Sequence, residues 1–350
     1  MSYQLNEKLR DLTPYDPIEG SFSIRLDANE AYFNLNDELA EVISVAANEV
    51  ALNRYPDPYA RVVCQKFAAL YGLNPELVTA GNGSDELISI ILAGFLQKGD
   101  KVLTLTPDFS MYRFYAEIYE AIPTTYSKEQ GMEGVLAALE KTGAKAVIFS
   151  NPCNPSGTGF SKDEVLKLVT GTDALVILDE AYMDFWDQSL LDCVGKYDNL
   201  IILKTCSKAL GMAAIRLGFA VCPEVITKAI RAVKSPYNVN SLTQSVGAAL
   251  LSDVERIHHR IDALIESRNA LFASIKPLEA SPVIQSVPET VTNFIVIYTE
   301  YAAQIHQALL KKGIAVRKFP AFLRITAGTP AENEAFVTAF REIIKELEGR

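Results

Sequence analysis

Five short β-rich runs punctuate the middle of this chain: Lys101–Leu105, Lys145–Phe149, Ala174–Leu178, Leu200–Leu203 and Leu217–Val221. Most of the stretches between them carry helical periodicity. Runs that are apolar almost throughout need cover on both faces, and strands alternating with helices supply it. The pattern predicts an α/β fold, a mainly parallel sheet with helices on both sides. After Pro236 the pattern changes. A helical stretch from about Ser241 to Ile275, broken by no proline, leads to strands at Phe294–Tyr298 and Leu323–Thr326 and a final helix from Ala331 to Leu347. We read residues 31–260 as a large domain, and residues 1–30 with 261–350 as a smaller α+β one. A ligand site is expected between them, at the carboxyl ends of the parallel strands.

Composition narrows the partners. Thirty-three Lys and Arg against 43 Asp and Glu give a net charge of −10, which argues against nucleic acid or an anionic membrane. An anionic substrate would need a local cationic pocket. The five cysteines (Cys64, Cys153, Cys193, Cys206, Cys222) are odd in number and lack C-x-x-C spacing, so neither a disulfide framework nor a zinc site is indicated. The first eight residues carry no basic region leading into an apolar core, and the longest apolar stretch, near Leu87 to Leu96, is about half a membrane span. A reduced, cytoplasmic chain is expected, with no metal and no membrane partner.

Lys208 is the residue whose setting suggests chemistry. It follows the run Leu200–Leu203 through Thr205-Cys206-Ser207. The small residues Ala209, Gly211, Ala213 and Ala214 leave space beside it, and Arg216 lies eight residues on. A lysine among apolar residues loses hydration and becomes a nucleophilic amine able to form a Schiff base with a carbonyl. The hydroxyls of Thr205 and Ser207 with Arg216 suit a phosphate. An aldehyde that carries a phosphate is pyridoxal phosphate. This segment alone is equally compatible with a solvated lysine at a strand end.

Further segments weigh on that choice. In Ala174-Leu175-Val176-Ile177-Leu178-Asp179-Glu180-Ala181-Tyr182, a carboxylate ends a buried strand, where Asp179 could keep a cationic ring nitrogen protonated. The same run could be a Walker B strand, but the only Gly-Lys pair, Gly195-Lys196, precedes Tyr197 and lacks the upstream glycine of a P-loop. Glu180, Asp184 and Asp187 are expected to be mostly solvated loop charges. Asn151-Pro152-Cys153-Asn154-Pro155-Ser156-Gly157-Thr158 fixes a tight turn after a strand, from which Asn154 could donate to a ring hydroxyl oxygen. Ala80-Gly81-Asn82-Gly83-Ser84-Asp85-Glu86-Leu87 opens a helix, with Ser84 as its expected cap and free N–H groups suited to phosphate. Phe109 could stack on an aromatic cofactor, although such a residue is more often core.

Together these segments resemble the fold-type I pyridoxal-phosphate aminotransferases, and within them the histidinol-phosphate aminotransferase group. The resemblance also rests on Leu26-Asp27-Ala28-Asn29-Glu30, Arg54-Tyr55-Pro56-Asp57-Pro58, Tyr237-Asn238-Val239-Asn240 and Leu323-Arg324-Ile325-Thr326, and it covers nearly the whole chain. It implies a large domain with a mainly parallel seven-stranded sheet. It makes Lys208 the Schiff-base lysine and Asp179 the pyridinium partner, and puts Asn154 and Tyr182 on the ring oxygen. Ser84, Asp85, Thr205, Ser207 and Arg216 would surround the phosphate, with Tyr55 reaching in from the other subunit of a homodimer. Arg324 and Arg317 would grip the substrate's anionic end, helped by Tyr15. The implied reaction is a ping-pong transamination between a small anionic amine and a 2-oxo acid, histidinol phosphate and 2-oxoglutarate foremost. An aromatic amino-acid aminotransferase and a threonine-phosphate decarboxylase are rivals within the fold, and a non-catalytic regulatory module is a rival outside it. Phe109 where a tyrosine is common, Ala31-Tyr32 after Glu30 instead of Asn-Pro, and Ala214 in place of a glycine depart from the pattern.

Overall fold

The structure, a computed structural model, describes residues 3–10, 12 and 18–349. Its eleven strands are β1 (Ile24–Leu26), β2 (Val78–Asn82), β3 (Lys101–Thr106), β4 (Ile122–Ser127), β5 (Ala146–Ser150), β6 (Leu175–Asp179), β7 (Leu200–Thr205), β8 (Leu217–Val221), β9 (Phe294–Tyr298), β10 (Ile314–Lys318) and β11 (Phe322–Thr326). Seven of them form one sheet in the order β2-β8-β7-β6-β5-β3-β4. Every neighbouring pair is parallel except the two that β8 makes.

The central strands are legible because both their faces are covered: every residue of β5, β7 and β8 is buried. Side chains alternate across the pleat into two separate cores. Val176 and Leu178 of β6 join a core with the helices Arg61–Tyr71 and Ser241–Leu250, whereas Ile177 joins the opposite one with Gly83–Phe95 and Met111–Ile118. Edge strand β4, Ile-Pro-Thr-Thr-Tyr-Ser, has no fully buried residue, and its proline and threonines give no apolar run to read.

Beyond Pro236 the expected single helix is two, Ser241–Leu250 and Val254–Ile275. No proline is needed for the break, because the Asp253 side chain accepts from the Arg256 N–H and starts a new helix. A four-stranded sheet, β1-β10-β11-β9, takes its strands from both ends of the chain, β1 lying parallel to β10. The last helix, Pro330–Glu348, begins with a capping box between Thr329 and Glu332. No helix among the described residues is long and apolar enough to cross a membrane.

Candidate active site

The carboxyl ends of β2, β3, β5, β6 and β7 lie along one rim of the large sheet, and β8 begins there. Lys208 follows β7, Asp179 ends β6, Asn154 follows β5, Phe109 follows β3, Ser84 follows β2 and Arg216 precedes β8. The topology therefore gathers the expected residues of the large sheet at one edge, where parallel strands open to ligands.

Lys208 is half-buried, and its Nζ donates to the Ala28 carbonyl at 2.9 Å. It is therefore less enclosed than a lysine among apolar residues would be, although Ala209, Leu210 and Met212 after it are buried. Cys206, not Lys208, is the fully buried residue of the segment. Thr205 Oγ1 donates to Ser207 Oγ at 3.1 Å, and Arg216 Nη1 donates to the same Ser207 oxygen at 3.4 Å. Arg216 is exposed and makes no ion pair among the described residues. Its φ of +52° turns the chain back so that the guanidinium returns to the helix start at Gly83.

That helix runs Gly83–Phe95, so Ser84 is not its cap. Asn82 holds that position, its side chain donating to Glu86 and to the Asn238 carbonyl. Asp85 is likewise turned from the rim: its Oδ2 accepts from the Tyr115 hydroxyl at 2.9 Å. What Ser84 and Asp85 offer there is backbone N–H groups, which a helix's first turn leaves unpaired. Two glycines keep the cradle open. A Cβ on Gly83 would sit 2.8 Å from Arg216 Nη2, and one on Gly218 would sit 2.3 Å from the Ser84 nitrogen.

Asp179 is buried. Its Oδ2 accepts from the Tyr112 hydroxyl at 2.7 Å and its Oδ1 from the Ala181 N–H at 3.0 Å. Burial pushes its carboxyl up to about 6, against the pull of those two donors, with Asp108 and Asp85 adding to the rise. Tyr182 is also buried, and its hydroxyl accepts from Asn29 Nδ2 at 2.7 Å, leaving its own proton to donate. Both Asn–Pro bonds of the turn Asn151–Pro155 are cis, and the Asn154 N–H is held by Ser150 Oγ at 3.2 Å. Asn154 Oδ1 accepts from Arg324 Nη1, which leaves Nδ2 as the outward donor.

Arg324 is buried on β11, with Nη2 donating to the Asp27 carbonyl at 2.7 Å and the guanidinium over the rings of Phe294 and Phe319. Arg317 of β10 stands directly opposite it in the antiparallel register, so both side chains leave one face of the small sheet. Tyr15 lies outside the described residues. Tyr55 is 82% exposed and stacks on Tyr237 at 4.6 Å.

Three groups escaped the sequence reading. Tyr112 stands in the same segment as Phe109 but carries no motif of its own. Asn29, at φ +55° and buried, ties Tyr182 to Thr326, and the carbonyls of the two residues before it, Ala28 and Asp27, hold Lys208 and Arg324. Asp184, expected to be solvated, is paired with buried Lys204 at 2.9 Å and accepts from Tyr71 at 2.7 Å, while Glu180 is buried against Ser189 and the Leu190 N–H. Strand alternation sends Lys204 to that far face of the sheet. Of these loop acids only Asp187 is exposed.

The family "Aminotransferase class I and II" matches residues 23–340. The chain belongs to that family, among its histidinol-phosphate aminotransferases. It is 37% identical to the histidinol-phosphate aminotransferase of Clostridium novyi (strain NT) over 334 residues, covering 93% of each chain. The Clostridium kluyveri enzyme of that name is 36% identical over 97% of this chain and 98% of its own. In fold, it superposes on the Sinorhizobium meliloti histidinol-phosphate aminotransferase, solved in complex with pyridoxal-5'-phosphate, with a TM-score of 0.85 at 23% identity, over 93% of this chain and 92% of that one. This aminotransferase therefore has the fold-type I architecture read from its sequence, and a fold alone would not have separated it from the decarboxylase rival.

Proposed function

We propose that this aminotransferase acts on histidinol phosphate and 2-oxoglutarate in a ping-pong cycle in the cytoplasm, with pyridoxal 5'-phosphate held at the rim of the seven-stranded sheet. The cradle supports the cofactor reading: an exposed guanidinium, two hydroxyls and the N–H groups of a helix start surround a space kept clear by Gly83 and Gly218. When bound, pyridoxal phosphate supplies an aldehyde and, through its protonated ring, an electron sink that acidifies the substrate Cα–H. Asp179 is the buried anion for the ring nitrogen. Asn154 Nδ2 and the Tyr182 O–H are the donors for the ring oxygen, and Phe109 offers a flat face. Lys208, released from the Ala28 carbonyl, would be the amine that takes and returns the proton at the substrate Cα.

One observation carries the substrate: Arg317 and Arg324 stand side by side across β10 and β11. Histidinol phosphate has no carboxylate, so its phosphate must be the anchor, and a dianion is best met by two guanidinium groups. Tyr15 is the phenol proposed to join them. We place the cofactor with residues 31–260, and the anion grip with residues 261–350 and 1–30. The working unit is proposed to be a homodimer, with Tyr55 crossing to the partner's phosphate pocket. Exposed Val45, Leu52, Tyr55, Tyr59, Tyr237 and Leu242 support it, on two segments joined by Gln244 Nε2 donating to the Asp57 carbonyl at 2.9 Å.

Steady-state kinetics with 2-oxoglutarate against histidinol phosphate, phenylalanine, tyrosine and threonine phosphate test the substrate. Histidinol phosphate is expected to have the highest kcat/KM. Preference for an aromatic amino acid, or carbon dioxide release from threonine phosphate, would replace this substrate with one of its rivals.

A further inference from the structure

Tyr112 is the largest wholly buried side chain among the described residues, and its hydroxyl ends on Asp179, the carboxylate proposed for the ring nitrogen. It reaches Asp179 Oδ2 at 2.7 Å from helix Met111–Ile118 while the Ala181 N–H holds Oδ1 at 3.0 Å, so the two donors fix both oxygens and with them the carboxylate plane. The same phenol ring meets Phe109 edge-on, with centroids 5.5 Å apart. Tyr112 thus touches the two residues proposed to contact the ring, one at its nitrogen and one at its face, without lying at the rim itself.

We propose that Tyr112 is a positioning residue of the transamination site: resting on the aminotransferase reading above, it keeps Asp179 ionised and aimed at the cofactor ring nitrogen, and braces Phe109. The groups facing Asp179 support this. Asp108, in the loop after β3, and Asp85, in helix Gly83–Phe95, are both negative and favour its protonated form, as burial does. Tyr112 and the Ala181 N–H are the groups that oppose them. Burial pushes the Tyr112 phenol itself well above its ordinary range, so it remains a donor at every working pH. Without that hydroxyl, Asp179 would hold its proton to a higher pH. A neutral Asp179 cannot sustain a protonated ring, so the rate would fall on the acid side and recover as pH rises.

Tyr112→Phe removes the hydroxyl and keeps the ring. In the apoenzyme, carbon-13 NMR of the Asp179 carboxyl should show it titrating about one pH unit higher than in wild type. In the holoenzyme, the nitrogen-15 signal of ring-labelled pyridoxal phosphate at pH 6.5 should move towards neutral pyridine. The acid limb of kcat should shift with it, with kcat near pH 6.5 down about threefold, approaching about tenfold only further down the acid limb, and KM for the donor within about twofold. Introducing 4-aminophenylalanine at position 112, which restores a donor on the same ring, should bring the titration back towards wild type. Unchanged titration and pH profile in Tyr112→Phe, even with a lower Tm, would leave Tyr112 a packing residue and overturn the proposal. If Tyr112→Phe fails to fold, the 4-aminophenylalanine protein decides: its Asp179 must titrate like wild type. Asp179→Asn separates the two layers. If it keeps a protonated ring nitrogen and full rate, the assignment of Asp179 fails first; if it loses both while Tyr112→Phe does not, only the role of Tyr112 falls.

Discussion

The two ends of the site are built differently. At the proposed cofactor end, Asp179, Tyr182, Asn154 and the Thr205–Lys208 turn end or follow buried strands, and hydrogen bonds from neighbouring groups hold their side chains. At the proposed substrate end, Arg324 gives both terminal nitrogens to oxygens of the chain, Asn154 Oδ1 and the Asp27 carbonyl, with which an anion bound there would compete. The first end is organised before anything binds. On the proposed assignment, the second would couple anion capture to Asn154, and so to the cofactor end, with chemistry that needs a fixed charge on the large sheet and recognition on the small one.

The largest effect should come from breaking the organised end. Asp179→Ala keeps Lys208 and the cradle but removes the anion opposite the ring nitrogen. Because each ~1.4 kcal/mol is tenfold in rate, kcat should fall by about three powers of ten or more, with cofactor still bound. Absorbance of the holoenzyme and single-turnover rates check this. An active Asp179→Ala enzyme would mean that another group protonates the ring, and that the buried pair with Tyr112 is only structural.

A smaller effect is expected at the recognition end, and it should depend on the donor. A monocarboxylate can be held bidentately by Arg324 alone, whereas a phosphate dianion calls on Arg317 as well. Arg317→Ala should therefore lower kcat/KM for histidinol phosphate by about tenfold to a hundredfold, the equivalent of roughly 1.5–3 kcal/mol, and leave phenylalanine nearly unchanged. The ratio of the two efficiencies, wild type against variant, is the measurement. A ratio that does not move would show that the small sheet does not read the second negative charge.

The contrast between the ends also sets what the sequence could reveal. Strands β5 to β8 are covered on both faces, so their residues had to be apolar and the runs stood out. Asp179 was visible as a carboxylate closing such a run, and Lys208 as a cation beside small residues. Arg317, by contrast, lies on a strand whose apolar run, Ile314-Ala315-Val316, is only three residues long, and its position opposite Arg324 is a matter of register, which no local pattern encodes. Tyr112 and Asn29 act through contacts 67 and 153 residues distant in sequence, so their partners exist only in the fold. Asp184 looked like a solvated charge because it lies in a loop, and its partner Lys204, turned inward by strand alternation, is what draws it into the fold.

The least effect, and the sharpest test of whether the organised end is complete in one chain, concerns Tyr55. It is exposed and stacked on Tyr237, whereas Arg216 pairs with Ser207. If a twofold partner supplies it, each site draws Lys208 from one chain and Tyr55 from the other. Tyr55→Ala and Lys208→Ala chains should both fold, since one side chain is exposed and the other half-buried. Each homodimer has two defective sites, the Tyr55→Ala defect being in cofactor retention. In a hybrid, one site collects both defects and the other neither. Random exchange makes half the dimers hybrids, so activity at limiting cofactor should return to about a quarter of wild type, a fourfold shortfall and no more. Exchange is verified by mass spectrometry of differently tagged chains. Absence of recovery in a mixture shown to contain hybrids would mean that the cradle of Arg216, Ser207 and the helix start at Gly83 holds the phosphate without help from a second chain.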